Sequence, residues 1–150
     1  MLRGSAYAKT DDKGRLKLPS DFKQLFEAAS VTQFYITSED GKTAEIWPLP
    51  EWEKREKKLL RSSTMNPAVA KYLNLTSYYG QQVEIDNQGR VLLSQLLRKT
   101  AKLDAEVLIK GQINHLLLEN STQADEYART HELTSEDRNF IAGLFSEEDE

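Results

Sequence analysis

Apolar positions in this chain fall in short groups separated by turn residues. Residues 7–9 and 16–18 have strand-like spacing, and Asp11-Asp12-Lys13-Gly14 between them reads as a tight turn. Gly at the end of such a turn takes a positive φ without steric cost. Pro19-Ser20 then predicts a helix start, since Pro suits a first turn and Ser a cap. Phe22, Leu25, Phe26 and Ala29 follow at helical spacing. Residues 33–38 and 43–47 read as a hairpin around Asp40-Gly41.

The same order returns later in the chain. Strands at 83–85 and 91–93, a helix over 95–102, and strands at 107–109 and 116–118 repeat the first series. Asp11-Asp-Lys-Gly-Arg-Leu-Lys-Leu-Pro19 aligns with Asp86-Asn-Gln-Gly-Arg-Val-Leu-Leu-Ser94 without a gap, 75 positions on. The register continues, with residues 21–25 matching 96–100, Phe34-Tyr-Ile-Thr37 matching Val107-Leu-Ile-Lys110, and Ala44-Glu-Ile-Trp47 matching Leu116-Leu-Leu-Glu119. Two copies are too few for a solenoid, which needs at least three, but they suffice for a pseudo-twofold module. Helical stretches at 51–62 and 67–75 lie between the copies. Two more follow at 123–131 and 135–144, the last opened by Thr134-x-x-Asp137, a capping-box-like start. Four short hairpins with about six short helices, and no βαβ rhythm, predict an α+β fold.

Composition narrows the function. The chain has 150 residues, of which 39% are hydrophobic, enough to bury a core in one or two small domains. With no Cys, disulfide scaffolds, thiolate zinc sites and cysteine catalysis are excluded. No apolar run approaches the roughly 20 residues of a membrane helix, and the first residues lack a signal-peptide stretch, so a cytoplasmic location is expected. The two His residues, 115 and 131, fit no metal-binding spacing. Nucleophile-elbow, P-loop and dinucleotide motifs are absent, so neither catalytic residues, metal nor cofactor is expected.

The net charge of −4 hides an asymmetry. Residues 125–150 hold nine acids and two bases, a net of −7, which leaves +3 on residues 1–124. Residues 1–24 alone carry six bases against three acids. The acidic tail reads as a solvated end, or as a screen over the basic surface. A polyanionic partner is permitted.

The two Asp-x-x-x-Arg turns, Gly14-Arg-Leu-Lys-Leu-Pro19, Tyr35-Ile-Thr-Ser38 with Asp40-Gly41, Trp47-Pro-Leu-Pro-Glu-Trp52, Tyr78-Tyr-Gly-Gln81 and Asp86-Asn-Gln-Gly-Arg-Val-Leu-Leu93 together resemble the MraZ family over residues 1–124. That family belongs to the wider AbrB/SpoVT group. The resemblance implies two tandem AbrB/SpoVT-like double-ψ/swapped-hairpin β modules with short peripheral helices, pseudo-twofold within the chain. The corresponding division is module 1 at 5–50, a helical connector at 51–77, module 2 at 78–124, and C-terminal helices with the acidic tail at 125–150. It further implies a nucleoid-associated transcriptional regulator forming a homo-oligomeric ring. Its expected target is double-stranded promoter DNA with repeated sites, upstream of the division and cell-wall gene cluster that contains its own gene. One departure is Ser94, where the family pattern usually has Pro; Ser is itself a good helix cap.

For Asp11 and Asp86 the favoured account is structural, an ion pair or a cap on the turn closed by Gly14 or Gly89. Arg15 and Arg90 are carried over from the resemblance as DNA contacts, and a guanidinium fork suits phosphates or guanine edges. Arg3, Lys9 and Lys13 are expected to add positive potential on the same edge. Arg98, with Lys99 and Lys102 and its match Lys23 in the first helix, reads equally as a solvated helix face or as a DNA contact. Lys54, Arg55, Lys57, Lys58 and Arg61 read as a salt-bridged exposed helix. Trp47, Trp52, Tyr78, Tyr79 and His115 read as core or subunit-contact residues, and Phe140, Ile141 and Leu144 as packing on the body or on a neighbour. The rival function is an interaction or dimerisation module of antitoxin type.

Overall fold

A computed structural model describes residues 1–62 and 66–146; Glu147 to Glu150, the end of the acidic tail, lie outside the described residues. The chain runs β1 (Ser5–Lys9), β2 (Arg15–Lys17), α1 (Ser20–Ala28), β3 (Gln33–Thr37), β4 (Ala44–Pro48), α2 (Leu49–Arg61) and α3 (Pro67–Tyr78). It continues through β5 (Gln81–Glu84), β6 (Arg90–Leu92), α4 (Gln95–Thr100), β7 (Glu106–Gly111), β8 (Leu116–Asn120), α5 (Ser121–Thr130) and α6 (Ser135–Ser146). The fold is α+β, as the patterning predicts.

Strand partners correct the four-hairpin reading. Only β3–β4 and β7–β8 are ladders between sequence neighbours. β1 instead pairs antiparallel with β7, β5 with β3, and β2 with β6. Between β1 and β2 a single Thr10–Leu16 bridge remains. The six-stranded sheet therefore runs β1-β7-β8-β4-β3-β5, and β2 with β6 forms a separate two-stranded ribbon. The order is a palindrome in which each repeat lends its first strand to the other. The pseudo-twofold axis passes between β4 and β8, where Glu45 faces Leu117, and through the ribbon, where Leu16 faces Val91.

The repeat explains the core position by position. Leu16 and Val91, Leu18 and Leu93, Phe22 and Leu97, Phe34 and Val107, Ile36 and Ile109, Ile46 and Leu118 are matched pairs, and all are buried. Leu16 and Val91 face inward from the ribbon while Leu18 and Leu93 close over it. Alternation along both strands then forces the flanking residues outward. The N–H groups of Leu18 and Leu93 donate to the carbonyls of Gly89 and Gly14, at 2.9 Å each, so each ribbon strand grips the other copy's turn.

Three helical expectations change. Pro19, not Ser20, is the N-cap residue of α1, and no side chain caps that helix. Ser94 does cap α4, accepting from the Leu97 N–H at 3.1 Å. Leu25 is exposed while Phe22 and Phe26 are buried, because α1 turns a narrow face to the core. In α6 the Thr134–Asp137 capping box forms reciprocally at 3.0 Å. Phe140, Ile141, Leu144 and Phe145 nevertheless lie exposed on this chain, so they do not pack on its own body.

Arg55 also departs from the exposed-helix reading. Its guanidinium sits 4.6 Å from the Trp47 ring centroid and donates to the Tyr72 hydroxyl at 2.6 Å. Tyr35 stacks on Trp52 at 4.7 Å, and both Tyr35 and Thr37 donate to the Thr76 carbonyl at 2.8 Å. This cluster fastens α2 and α3 to the sheet. His115 stacks on Trp47, with ring centroids 4.0 Å apart. Burial, and then the charge of Arg55, push its pKa from 6.5 down to about 4. Native His115 thus stays neutral between those pH values while the unfolded chain takes up a proton, and stability falls as pH drops through that window. His115→Phe keeps a ring on Trp47 without titrating. Melting temperatures of this variant from pH 7 to 4 are expected to fall less steeply than those of the parent.

Candidate nucleic-acid interface

The ribbon and its two turns bring the sequence-predicted residues together. Each turn is built the same way. The Asp11 carboxylate accepts from the backbone N–H of Lys13 at 2.9 Å and of Arg15 at 2.8 Å, and from Arg15 Nε at 2.9 Å. Asp86 does the same for Gln88, Arg90 and Arg90 Nε, at 2.9, 2.9 and 2.8 Å. Gly14 and Gly89 close the turns at φ of +85° and +77°. These hydrogen bonds, first of all the N–H of Arg15 or Arg90, hold both carboxyls below their ordinary pKa. The two Asp residues are turn caps and ion-pair partners at once.

Each Asp also orients its Arg. With Nε held, the chain direction of the guanidinium is fixed, and among the described residues the Arg15 Nη atoms have no hydrogen-bond partner. Arg90 Nη1 lies 4.0 Å from Asp11, linking the two turns across the pseudo-twofold. In the ribbon Arg15 stands opposite Leu92, and Lys17 opposite Arg90. Because Leu16 and Val91 point inward, Arg15, Lys17, Arg90 and Leu92 share the outer face. Arg15 and Arg90 are half-buried at their stems, and Lys17 is exposed.

Other predicted residues are distributed unevenly. Lys13 is exposed at the tip of the first turn, beside the ribbon. Lys9 is exposed at the ribbon end of β1, opposite Glu106. Arg3 lies beyond the other end of that strand, its backbone against Gly111, six residues and about 20 Å of extended chain away. The expectation that Arg3 shares the edge is corrected. Arg98 packs on the Gly14 turn of the opposite repeat, donates to the Leu93 carbonyl at 3.1 Å and pairs with Asp104 at 3.1 Å. Lys23 covers Gly89 in the mirrored position and lies 3.9 Å from Glu27. Each helix thus braces the other copy's turn with a cation. Lys17 is absent from the sequence-derived set, although alternation from buried Leu16 would have placed it outward; Lys23 entered it only as the register match of Arg98.

Arg98→Ala removes the brace on Gly14 while leaving Arg15 and Asp11 in place. A drop in melting temperature with faster amide exchange at residues 11–15 is expected, and Asp104→Ala should reproduce part of it.

The interleaved sheet, the shared ribbon and its twin Asp–Arg turns define a duplicated α+β module whose two halves complete one another. Sequence comparisons place the chain within that class. The family model described as "MraZ protein, putative antitoxin-like" matches residues 1–74 and 80–140. A protein of Acidobacterium capsulatum named transcriptional regulator MraZ is 46% identical over 142 residues, covering 95% of this chain and 97% of the relative. One of Koribacter versatilis with the same name is 41% identical, covering 96% and 99%. One of Thiobacillus denitrificans, also so named, is 35% identical over 82% of this chain and 83% of its own length. The chain belongs to the MraZ family.

Proposed function

We propose that the chain is a sequence-specific, DNA-binding transcriptional regulator that acts in the cytoplasm at the nucleoid. The outer face of the ribbon carries this reading: Arg15, Lys17 and Arg90 stand together on a two-stranded antiparallel element around a pseudo-twofold axis. A major groove about 12 Å wide admits such a ribbon. Two guanidinium groups pre-set by Asp11 and Asp86 suit guanine edges or phosphates, and Lys13 adds charge beside them. The names of the relatives, transcriptional regulators, point the same way. By family resemblance the target is the promoter of the division and cell-wall gene cluster that includes its own gene. An electrophoretic shift of that upstream DNA, surviving at salt concentrations that abolish binding to random duplex, is the expected result. Equal salt sensitivity on both duplexes would refute sequence specificity.

Self-association into a ring belongs to the same proposal. Helix α6 exposes Phe140, Ile141, Leu144 and Phe145, and an isolated helix of 12 residues is marginal in water. On the body of the chain, Leu2, Leu25, Phe26, Val31, Pro48 and Ile113 line an open apolar groove of about 560 Å³. A second copy's α6 fits there, and repetition of such a head-to-tail contact closes a ring. Several ribbons on one ring then engage repeated sites with avidity. Light scattering should give a multiple of 17.2 kDa that falls towards the monomer in Phe140→Ser/Ile141→Ser. A monomeric parent at micromolar concentration would refute the assembly. The family description's word "antitoxin-like" keeps one rival, a dimerisation module without promoter specificity, and random-sequence competition separates the two.

A further inference from the structure

The pseudo-twofold is broken at one place beside the ribbon. Tyr7, Ala8 and Lys9 from β1, Lys17 and Leu18 from β2 and its exit, and Pro19, Ser20 and Lys23 at the start of α1 line an open cleft of about 460 Å³. Three lysines from three elements thus line one concavity. Among the described residues, neither Lys9 nor Lys17 has a carboxylate within 4.0 Å, and Lys23 lies 3.9 Å from Glu27. Glu106, across the ladder from Lys9, and Asp21, in the first turn of α1, are the other nearby acids in the chain's layout. No side chain caps α1, so its first N–H groups add positive potential at the cleft's edge.

The matching place in the second repeat keeps one cation only, and that one is paired. The 75-residue register puts Gln82 for Tyr7, Glu84 for Lys9, Leu92 for Lys17 and Arg98 for Lys23. Arg98 is held by Asp104, and the helix there is capped by Ser94. One side of the ribbon is therefore a basic cleft, and the other is a neutral to acidic shoulder.

We propose that the Lys9–Lys17–Lys23 cleft seats a backbone phosphate of the bound duplex on one side of the ribbon only, and thereby fixes the orientation of each subunit on its DNA. The inference rests on the DNA-binding reading and adds a polarity that the pseudo-symmetric ribbon lacks. Phosphate suits the site because lysines are compact point charges needing no fixed fork geometry, and because the Tyr7 hydroxyl supplies a neutral donor beside them. Contacts of this kind set register on the duplex while the ribbon face reads its bases.

The test compares the parent with Lys9→Gln/Lys17→Gln, and with Lys57→Gln/Lys58→Gln, which removes the same charge from the exposed face of α2. Affinity for one labelled duplex is measured from low to high salt. Each phosphate neutralised contributes about 0.9 to the slope of log affinity against log salt. The cleft variant is expected to lose about one unit of slope, and the α2 variant to keep the parent value. Glu84→Lys/Leu92→Lys, which copies the cleft onto the second repeat, is expected to restore a unit when combined with the cleft variant, with the asymmetric footprint reversed. Equal slopes for parent and cleft variant, or equal losses in both double variants, would overturn the cleft while leaving DNA binding in place. A parent that shifts no DNA would overturn the function itself. Saturation of the Tyr7 and Lys23 amide signals by micromolar inorganic phosphate, with the DNA slope unaltered in the variant, would reassign the cleft to a free phosphate and overturn the proposal.

Discussion

Replacing both Arg15 and Arg90 by Ala is expected to weaken binding to the promoter duplex by about 100-fold or more, since each good bidentate contact discriminates by about 1–3 kcal/mol. The loss should exceed that on random DNA, because the ribbon face is placed to read bases as well as phosphates. Arg15→Ala alone should cost more than half of the total in free energy. Arg90 lies 4.0 Å from Asp11, so the carboxylate freed by that change draws Arg90 away from the DNA. Both Asp residues keep their backbone hydrogen bonds in the double variant, so the turns and the fold should persist. Unaltered affinity in a folded double variant would remove the ribbon from the interface.

Leu16→Ala is expected to have the largest effect on stability. Leu16 is 0% exposed and faces Val91, also 0% exposed, on the pseudo-twofold axis. Truncating such a side chain in a tightly packed core costs about 2–5 kcal/mol, through lost transfer energy and the cavity left behind. Its place on the axis adds a second expectation: both repeats should lose stability together. Urea unfolding followed by the fluorescence of Trp47 in β4 and Trp52 in α2, and by far-UV circular dichroism, should give coincident transitions, in the parent and in the variant. Separated transitions would show that the halves fold independently.

Much of this was legible before the fold. The two Asp-x-x-Gly-Arg stretches carry their turn chemistry locally, and the matched apolar positions carry the pseudo-twofold. Strand partnership was not legible. Ladder hydrogen bonds are made by backbone and ignore side-chain identity, and β1 turns only Ala6 and Ala8 inward, too small a pattern to name its partner. The same exchange hid the role of Arg98. Its brace on Gly14 joins residues 84 positions apart that meet only because the strands cross between repeats. Arg55 sits in a run of lysines and glutamates, where charge alternation suggested a solvated face. Only the folded hairpin sets Trp47 beneath it. Lys9 is legible as a basic edge residue and Lys23 as the match of Arg98, but their meeting with Lys17 around one cleft depends on three elements coming together.

The exchange of first strands has a consequence for synthesis. β1 leaves the ribosome well before its ladder partner, residues 106–110, which is made roughly 100 residues later. Until then the backbone groups of β1 have no ladder partner, and β2 has none until residues 90–92 are made. At about 5–20 residues per second, that interval lasts on the order of 5–20 seconds. Distant pairings of this kind also slow the search for the native state. A nascent chain halted before β7 should therefore be sensitive to protease and liable to pair with β7 of another chain. Release of the second repeat would then close the sheet in a single late step.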